Sequence, residues 1–436
     1  MTKSTYIPGT HQVNGERLNT TLHETCEWGK ANRWGDGPNE TGMCRLALSD
    51  SDKQVRDWFV SELKKLRCSV TVDAMGNIFG VRPGKREGPP TAMGSHLDTQ
   101  PTGGRYDGIL GVQAALEVLR TLDDNKIETE FPIAAITWTN EEGARFPKSM
   151  HGSAVWAGAV SQDDGYALAD VTDSSITTKS ELERIGYLGT VPCSHEETPL
   201  AAHFELHIEQ GPILEREDKV VGVVQGGQAY RWYELTVSGR DSHAGTTPLD
   251  ARADPVLCAA RIISAANDIA HKHSGLATTG IFRLEPGSVN TSAREVVFSM
   301  DIRHMQDAKL DEMEKELRAA VEELAKGEKP YKAKPCKVEW KPLFANPAIK
   351  FDPACIAAVR EAAVNAVGEE KTRDIYSGAG HDSCLTALHY PTAMVFIPCK
   401  DGLSHNPEEF ATAEHCSIGT QVLLDAVLGY DSKRTQ

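Results

Sequence analysis

The chain has 436 residues, a hydrophobic fraction of 40% and a formal net charge of −16. Its length favours two domains over one, and its apolar content is enough for a real core. The acidic balance argues against nucleic-acid or anionic-membrane partners and reads as solubility, so a carboxylate-bearing ligand would need its own buried cation.

Ten cysteines are scattered with no C-x-x-C pair. That suits reduced thiols in a cytoplasmic protein better than a disulfide scaffold. The N-terminal residues carry no apolar leader segment, and no apolar run is long enough to span a membrane.

Taken in chain order, apolar spacing predicts helices over 17–30 and 51–66. In the second, Val55, Trp58, Phe59, Leu63 and Leu66 recur at helical intervals. Short strands follow at 78–81 and 91–94, then a helix at 109–122 and a buried strand at 133–137. This alternation places the chain in the α/β class. The character changes near Asp218. An alternating strand at 231–238 leads to a helix near 254–271, strands at 279–284 and 296–303, a helix at 308–325 and a strand at 337–341. That order is β-α-β-β-α-β, the split-βαβ pattern of a ferredoxin-like two-layer domain. The α/β character then returns, with a helix at 353–367 and a strand at 393–397. The expected organisation is one discontinuous α/β domain, 1–219 and 339–436, with a second domain, 220–338, inserted in it.

Five strings join an apolar run or a helix start to a histidine or a carboxylate. In TAMGSHLDT a strand runs into His96, and strand carboxyl ends are where ligands collect in open α/β sheets. Asp98 follows two residues later, placed to accept the imidazole N–H and fix its tautomer. Asp107 in YDGILG precedes a helix and reads equally as a helix cap or as a bridging ligand. TWTNEEG ends a buried strand with Glu141 and Glu142 side by side. Such a pair is costly unless a cation or a proton separates it. One carboxylate can then bind metal while the other acts as a base. His207 in HFELHIEQG and His405 in DGLSHNPEEF complete the set. Three imidazoles and several carboxylates are the inventory for metal-assisted hydrolysis of an unreactive bond. The inserted domain adds His243 in GRDSHAGTTP, Asn290 in EPGSVNTS and Arg303 at the end of VVFSMDIR. Arg303 suits bidentate carboxylate recognition or is an ordinary surface arginine. The loop SGAGHDS carries Gly380 and His381, as a substrate loop or a turn.

Together GSHLDTQPTGGRYDG, NEEGARF, HIEQGP, SHAGTTP, GSVNTS, DIRH, GAGHD and SHNPEE resemble the hydantoinase/carbamoylase branch of the aminoacylase-type metallopeptidase clan, over nearly the whole chain. The branch includes N-carbamoyl-L-amino acid hydrolases, the β-ureidopropionases of pyrimidine degradation and allantoate amidohydrolases. The resemblance implies a di-zinc catalytic domain with an inserted dimerisation lid. It implies that His96, Glu142, His207 and His405 hold two divalent ions bridged by Asp107, zinc by preference, with manganese, cobalt or nickel also compatible with mixed N/O donors. Glu141 would be the general base. His243, from the partner subunit of a homodimer, would stabilise the oxyanion, and Asn290 and Arg303 would bind the substrate carboxylate. Gln210, Gly380 and His381 would contact the substrate. The implied activity is hydrolysis of the linear C–N bond of an N-carbamoyl amino acid. The alternatives are allantoate or ureide hydrolysis, and an inactive metal-binding dimerisation scaffold.

Overall fold

The computed structural model describes residues 6–328 and 332–434. It forms two compact units. One runs to Gly226 and resumes at Lys350; the other is Gly227–Ile349.

The larger unit is built on a nine-stranded sheet. Its centre is four parallel strands in the order Thr392–Ile397, Ala202–Ile208, Thr91–His96 and Ile133–Trp138. Every residue of these four strands is buried. Continuous burial is the signature of parallel strands covered on both faces. Antiparallel strands flank them: Val221–Gly227 beside Thr392–Ile397, and Ile78–Arg82 then Ser69–Val72 beyond Ile133–Trp138. Helix Ile109–Asp124 packs on the central strands with residues 109–122 buried all round. Helix Ala413–Lys433 packs against it and against helices Gly15–Thr25 and Pro353–Val367. The starts are locally encoded: Asn14, Ser49 and Asp352 each accept a main-chain N–H of the turn they open. No described helix is long and apolar enough to cross a membrane.

The smaller unit is an antiparallel sheet carrying helices Pro255–His273 and Asp307–Ala325. Lys337–Asn346 lies at one edge, then Ala229–Ser238, then Glu295–His304; Leu276–Thr278 and Phe282–Glu285 both pair with the last. In Glu295–His304 every second residue is buried, sending Val296, Phe298, Met300 and Ile302 into the core with Ile262, Leu317 and Val321. This is the split-βαβ order with its helices on one layer.

Three local expectations change. The first helix ends at Thr25 rather than near residue 30, and Lys30–Arg33 is a strand. Gly29 between them has φ +100, a conformation closed to most side chains. The strand expected at 279–284 is split because the Ser299 hydroxyl accepts the Gly280 and Ile281 N–H groups, taking them out of the ladder. The unit boundaries fall later than 219/220 and 338/339. Val221–Gly227 belongs to the large sheet, and the last small-unit strand continues to Asn346 through Pro342, which an edge strand with a register shift accommodates.

Phe298 is fully buried in the small-unit core. Phe298→Ala should destabilise that unit by about 3–5 kcal/mol. Hydrogen exchange should then rise across 229–346 while residues 91–138 keep their protection; equal loss in both would show one cooperative unit.

Candidate metal centre

All four central strands deliver a side chain at their carboxyl ends. His96 is the last residue of its strand and His207 the last but one of its own. Glu141 and Glu142 follow shortly after Trp138, and His405 lies in the loop after Ile397. Asp107 sits just before helix Ile109–Asp124, whose amino end favours an anion. Gly108 forms that helix's cap with φ +66. A Cβ there would lie 2.2–2.4 Å from the His96 ring. Only glycine lets the helix start approach the imidazole this closely.

The side chains fall into two triads that share Asp107: His96, Asp107 and His207, and Asp107, Glu142 and His405. His207 Nε2 lies 3.0 Å from Asp107 Oδ1 and His96 Nε2 3.5 Å from the same oxygen. His405 Nε2 lies 3.4 Å from Asp107 Oδ2 and 3.3 Å from Glu142 Oε2. Each carboxylate oxygen of Asp107 thus serves one triad. His96 Nδ1 donates to the Asp98 main-chain oxygen at 2.9 Å, and His207 Nδ1 to that of Ile208 at 2.8 Å. A neutral ring so held turns its Nε2 lone pair inward, as a metal ligand requires. The donor set is mixed imidazole and carboxylate, which fits divalent transition metals. Glu141 belongs to neither triad; its Oε2 lies 3.5 Å from His96 Nε2.

The electrostatics point the same way. Burial would raise the Asp107 carboxyl, yet three imidazoles hold it well below its ordinary range. Burial and the neighbouring charge of Asp107 push Glu142 up to about 7. Glu141 is raised well above its usual value by burial and by the charges of Asp382, Glu142 and Asp107. His405 is raised to about 9, first by its hydrogen bond to Asp107. Burial opposes protonation of His96, but the surrounding carboxylates prevail and lift it well above 6.5. This crowd of buried anions calls for positive charge. The group lines a cavity of about 140 Å³.

The chain matches the model of the peptidase family M20/M25/M40 over residues 92–429. It is 39% identical to the N-carbamoyl-L-amino-acid amidohydrolase of Rhizobium meliloti, over 97% of this chain and 98% of that protein. It is 31% identical to the allantoate amidohydrolase of Bacillus subtilis, over 88% of this chain and 92% of that one. A hydantoinase/carbamoylase family amidase from Burkholderia multivorans superposes with a TM-score of 0.89 at 45% identity, covering 98% of this chain and all of that one. The chain belongs to the M20/M25/M40 family. It is therefore a hydrolase, and the two triads are residue groups able to hold metal in that fold.

Within this M20-family site, the structure places the remaining sequence-derived residues as follows. Asp98 does not reach the His96 imidazole with its carboxylate. Its two side-chain oxygens instead accept the main-chain N–H groups of Glu141 and Glu142, both at 3.2 Å, and hold that turn. Gln210 donates to Asp107 Oδ2 at 2.7 Å, bracing the shared carboxylate. His381 is buried, with its ring centroid 4.6 Å from His207 and its Nε2 2.8 Å from the Ser377 hydroxyl. Burial, then the neighbouring His207, keep it well below 6.5. Gly380 lies beside it on the cavity wall.

In the smaller unit, Ser242–His243 pairs with Thr291–Ser292, and the Ala244 N–H donates to the Asn290 main-chain oxygen. His243 and Asn290 therefore lie at the same short antiparallel pairing. His243 Nδ1 accepts the N–H groups of Gly245 and Thr246 at 3.0 and 3.2 Å, which leaves the ring proton on the exposed Nε2. Arg303 forks onto Asp301 and lies 5.1 Å over the Tyr230 ring.

Three residues inside the quoted strings carried no assigned role. Gln100 holds both Glu142 oxygens, at 3.2 Å through its main-chain N–H and at 2.8 Å through its side chain. Ser404 and the buried Glu409 stand beside Asp107. Their trace in the sequence is their place in GSHLDTQPTGGRYDG and SHNPEE, beside His96 and His405.

Gly108→Ala should displace the His96 ring. Zn2+ should raise the melting temperature of the wild type and leave that of the variant nearly unmoved in a thermal-shift assay. Equal shifts in both would show that the close approach is not needed for metal binding.

Proposed function

We propose that the chain is a metal-dependent amidohydrolase that cleaves the linear ureido C–N bond of an N-carbamoyl amino acid, giving the amino acid, carbon dioxide and ammonia. The observation that carries this is a pair of triads sharing the buried Asp107, with Glu141 beside them and part of neither. Full-length identity to carbamoylases supports the substrate class. The triads would hold two divalent ions, zinc by preference. When bound, such ions polarise a carbonyl and acidify a water.

The residues divide the remaining work. Glu141 takes a proton from the attacking water and later gives it to the leaving nitrogen, which suits a carboxyl whose pKa is raised. The oxygen that enters bonds to the ureido carbon, the C–N bond to the amino acid breaks, and the carbamate released splits into ammonia and carbon dioxide. Asp98 fixes Glu141 and Glu142 by their main-chain N–H groups. Gln210, Gly380 and His381 border the space for the carbamoyl group. His243 offers Nε2–H as a donor to the developing oxyanion. Arg303 exchanges part of its contact with Asp301 for the substrate carboxylate, beside Asn290. The unit carrying these three residues serves as a lid and dimerisation domain, and they act on the partner subunit of a homodimer. Ten free thiols support a cytoplasmic setting.

Ureide hydrolysis is the second reading, favoured by the identity to an allantoate amidohydrolase. An inactive scaffold fits less well, because Glu141 is present and poised. Ammonia release from N-carbamoyl-L-α-amino acids, N-carbamoyl-β-alanine and allantoate, measured side by side, decides among the three.

Glu141→Gln should keep its metal and lose about 10²–10⁴ in kcat, the usual worth of a general base. A variant retaining more than about a tenth of wild-type kcat rules Glu141 out as the base.

His243→Ala should lower kcat by about 10²–10³, whereas Arg303→Ala should chiefly raise KM. Mixing His243→Ala with Glu141→Gln tests the crossing. In a heterodimer one site collects both lesions and the other is intact, so activity returns. Confirmed subunit exchange with no recovered activity assigns His243 to its own chain.

A further inference from the structure

We propose that Glu409 is the positioning residue for the second triad, setting Asp107 and His405 relative to one another and so deciding whether the Asp107–Glu142–His405 group holds its ion. This rests on the two-metal reading above.

Glu409 is 3% exposed and touches neither Glu142 nor any imidazole within hydrogen-bonding distance among the described contacts. Its Oε1 accepts the main-chain N–H groups of Tyr106 and Asp107, both at 3.0 Å. Its Oε2 accepts the Ser404 hydroxyl at 2.8 Å. Ser404 precedes His405, whose backbone is left-handed at φ +54. The same hydroxyl lies 3.1 Å from Asp107 Oδ2. One carboxylate thus ties the turn presenting Asp107 to the loop presenting His405, across some 300 residues of sequence. The fit is close: a Cβ on Gly104 would meet Glu409 side-chain atoms at 2.3–2.4 Å.

The first triad does not depend on this tie to the same degree. His96 and His207 end strands locked in the parallel ladder, and their Nδ1 atoms are held by main-chain oxygens. His405 has no strand to hold it and is half exposed. A buried carboxylate that fixes a loop by main-chain N–H groups supplies the missing rigidity. Partners of this kind, beyond the ligands themselves, are worth about 10–100-fold in metal affinity.

The test is stepwise Zn2+ binding by chelator competition, with metal content read directly, on wild type, Glu409→Ala, Glu409→Gln and His405→Ala. Wild type should bind two equivalents. Glu409→Ala should keep one and lose about 10–100-fold at the other, matching His405→Ala. Glu409→Gln should recover most of that loss. Its amide oxygen still accepts both main-chain N–H groups, and its amide nitrogen still reaches Ser404. Exposed Glu414, exchanged for Ala, should change neither equivalent. If Glu409→Ala does not fold, Ser404→Ala removes the hydroxyl that joins Glu409 Oε2 to the His405 loop and faces Asp107 Oδ2, and should weaken the same single equivalent while the other is kept. Equal weakening of both equivalents, or a Gln variant no better than Ala, overturns the assignment. A wild type that binds one equivalent overturns the two-metal reading instead.

Discussion

The charge on Asp107 is the constraint around which the larger unit is arranged. A carboxylate this buried would normally take up a proton. Three imidazoles, a glutamine amide and a serine hydroxyl surround it, and its acidity moves the other way. To gather those groups, the chain must bring three strand ends and one helix start to a single point. A doubly covered parallel sheet does so, because its carboxyl ends open on one side and its ladder fixes their spacing. The surrounding glutamates are left with raised pKa values, which marks the place where cations balance the charge.

Precision comes from main-chain atoms more than from side-chain pairs. Backbone carbonyls hold His96 and His207, backbone N–H groups hold Asp98 against the glutamate turn, and two more hold Glu409. Asn140, Gln210 and His405 adopt positive φ without being glycine. They are three of the eleven described non-glycine residues with positive φ, and each stands next to or among the residues of the two triads and Glu141.

Much of this was legible in the sequence. Each metal-binding candidate stood after an apolar run or before a helix, so a pattern of strand ends disclosed the cluster before any contact was known. The helix at 353–367 and the alternation at 296–303 were equally plain, since burial writes a period into the residues. What could not be read was direction within turns. Asp98 lies two residues from His96, yet its carboxylate faces the next strand's turn, because the chain leaves the strand at His96 and extended geometry no longer applies. Glu409 was hidden for a different reason: two of its three partners are main-chain N–H groups, which any residue offers. The unit boundaries slipped because Val221–Gly227 and Lys337–Asn346 run up to the junctions as strands of different sheets, with no loop-rich linker to mark the change.

The division between units is also a division of physical tasks. The larger unit holds buried anions whose charge must be neutralised, and it does so on a rigid sheet. The smaller carries exposed or half-buried polar groups whose settings are made locally. Two main-chain N–H groups three residues or fewer away fix the His243 tautomer, and Asp301 holds Arg303 from two residues along the same strand. Neither arrangement needs the other unit to form. The settings of His243 and Arg303 are fixed within the smaller unit, just as those of His96 and His207 are fixed within the larger by the ends of their strands.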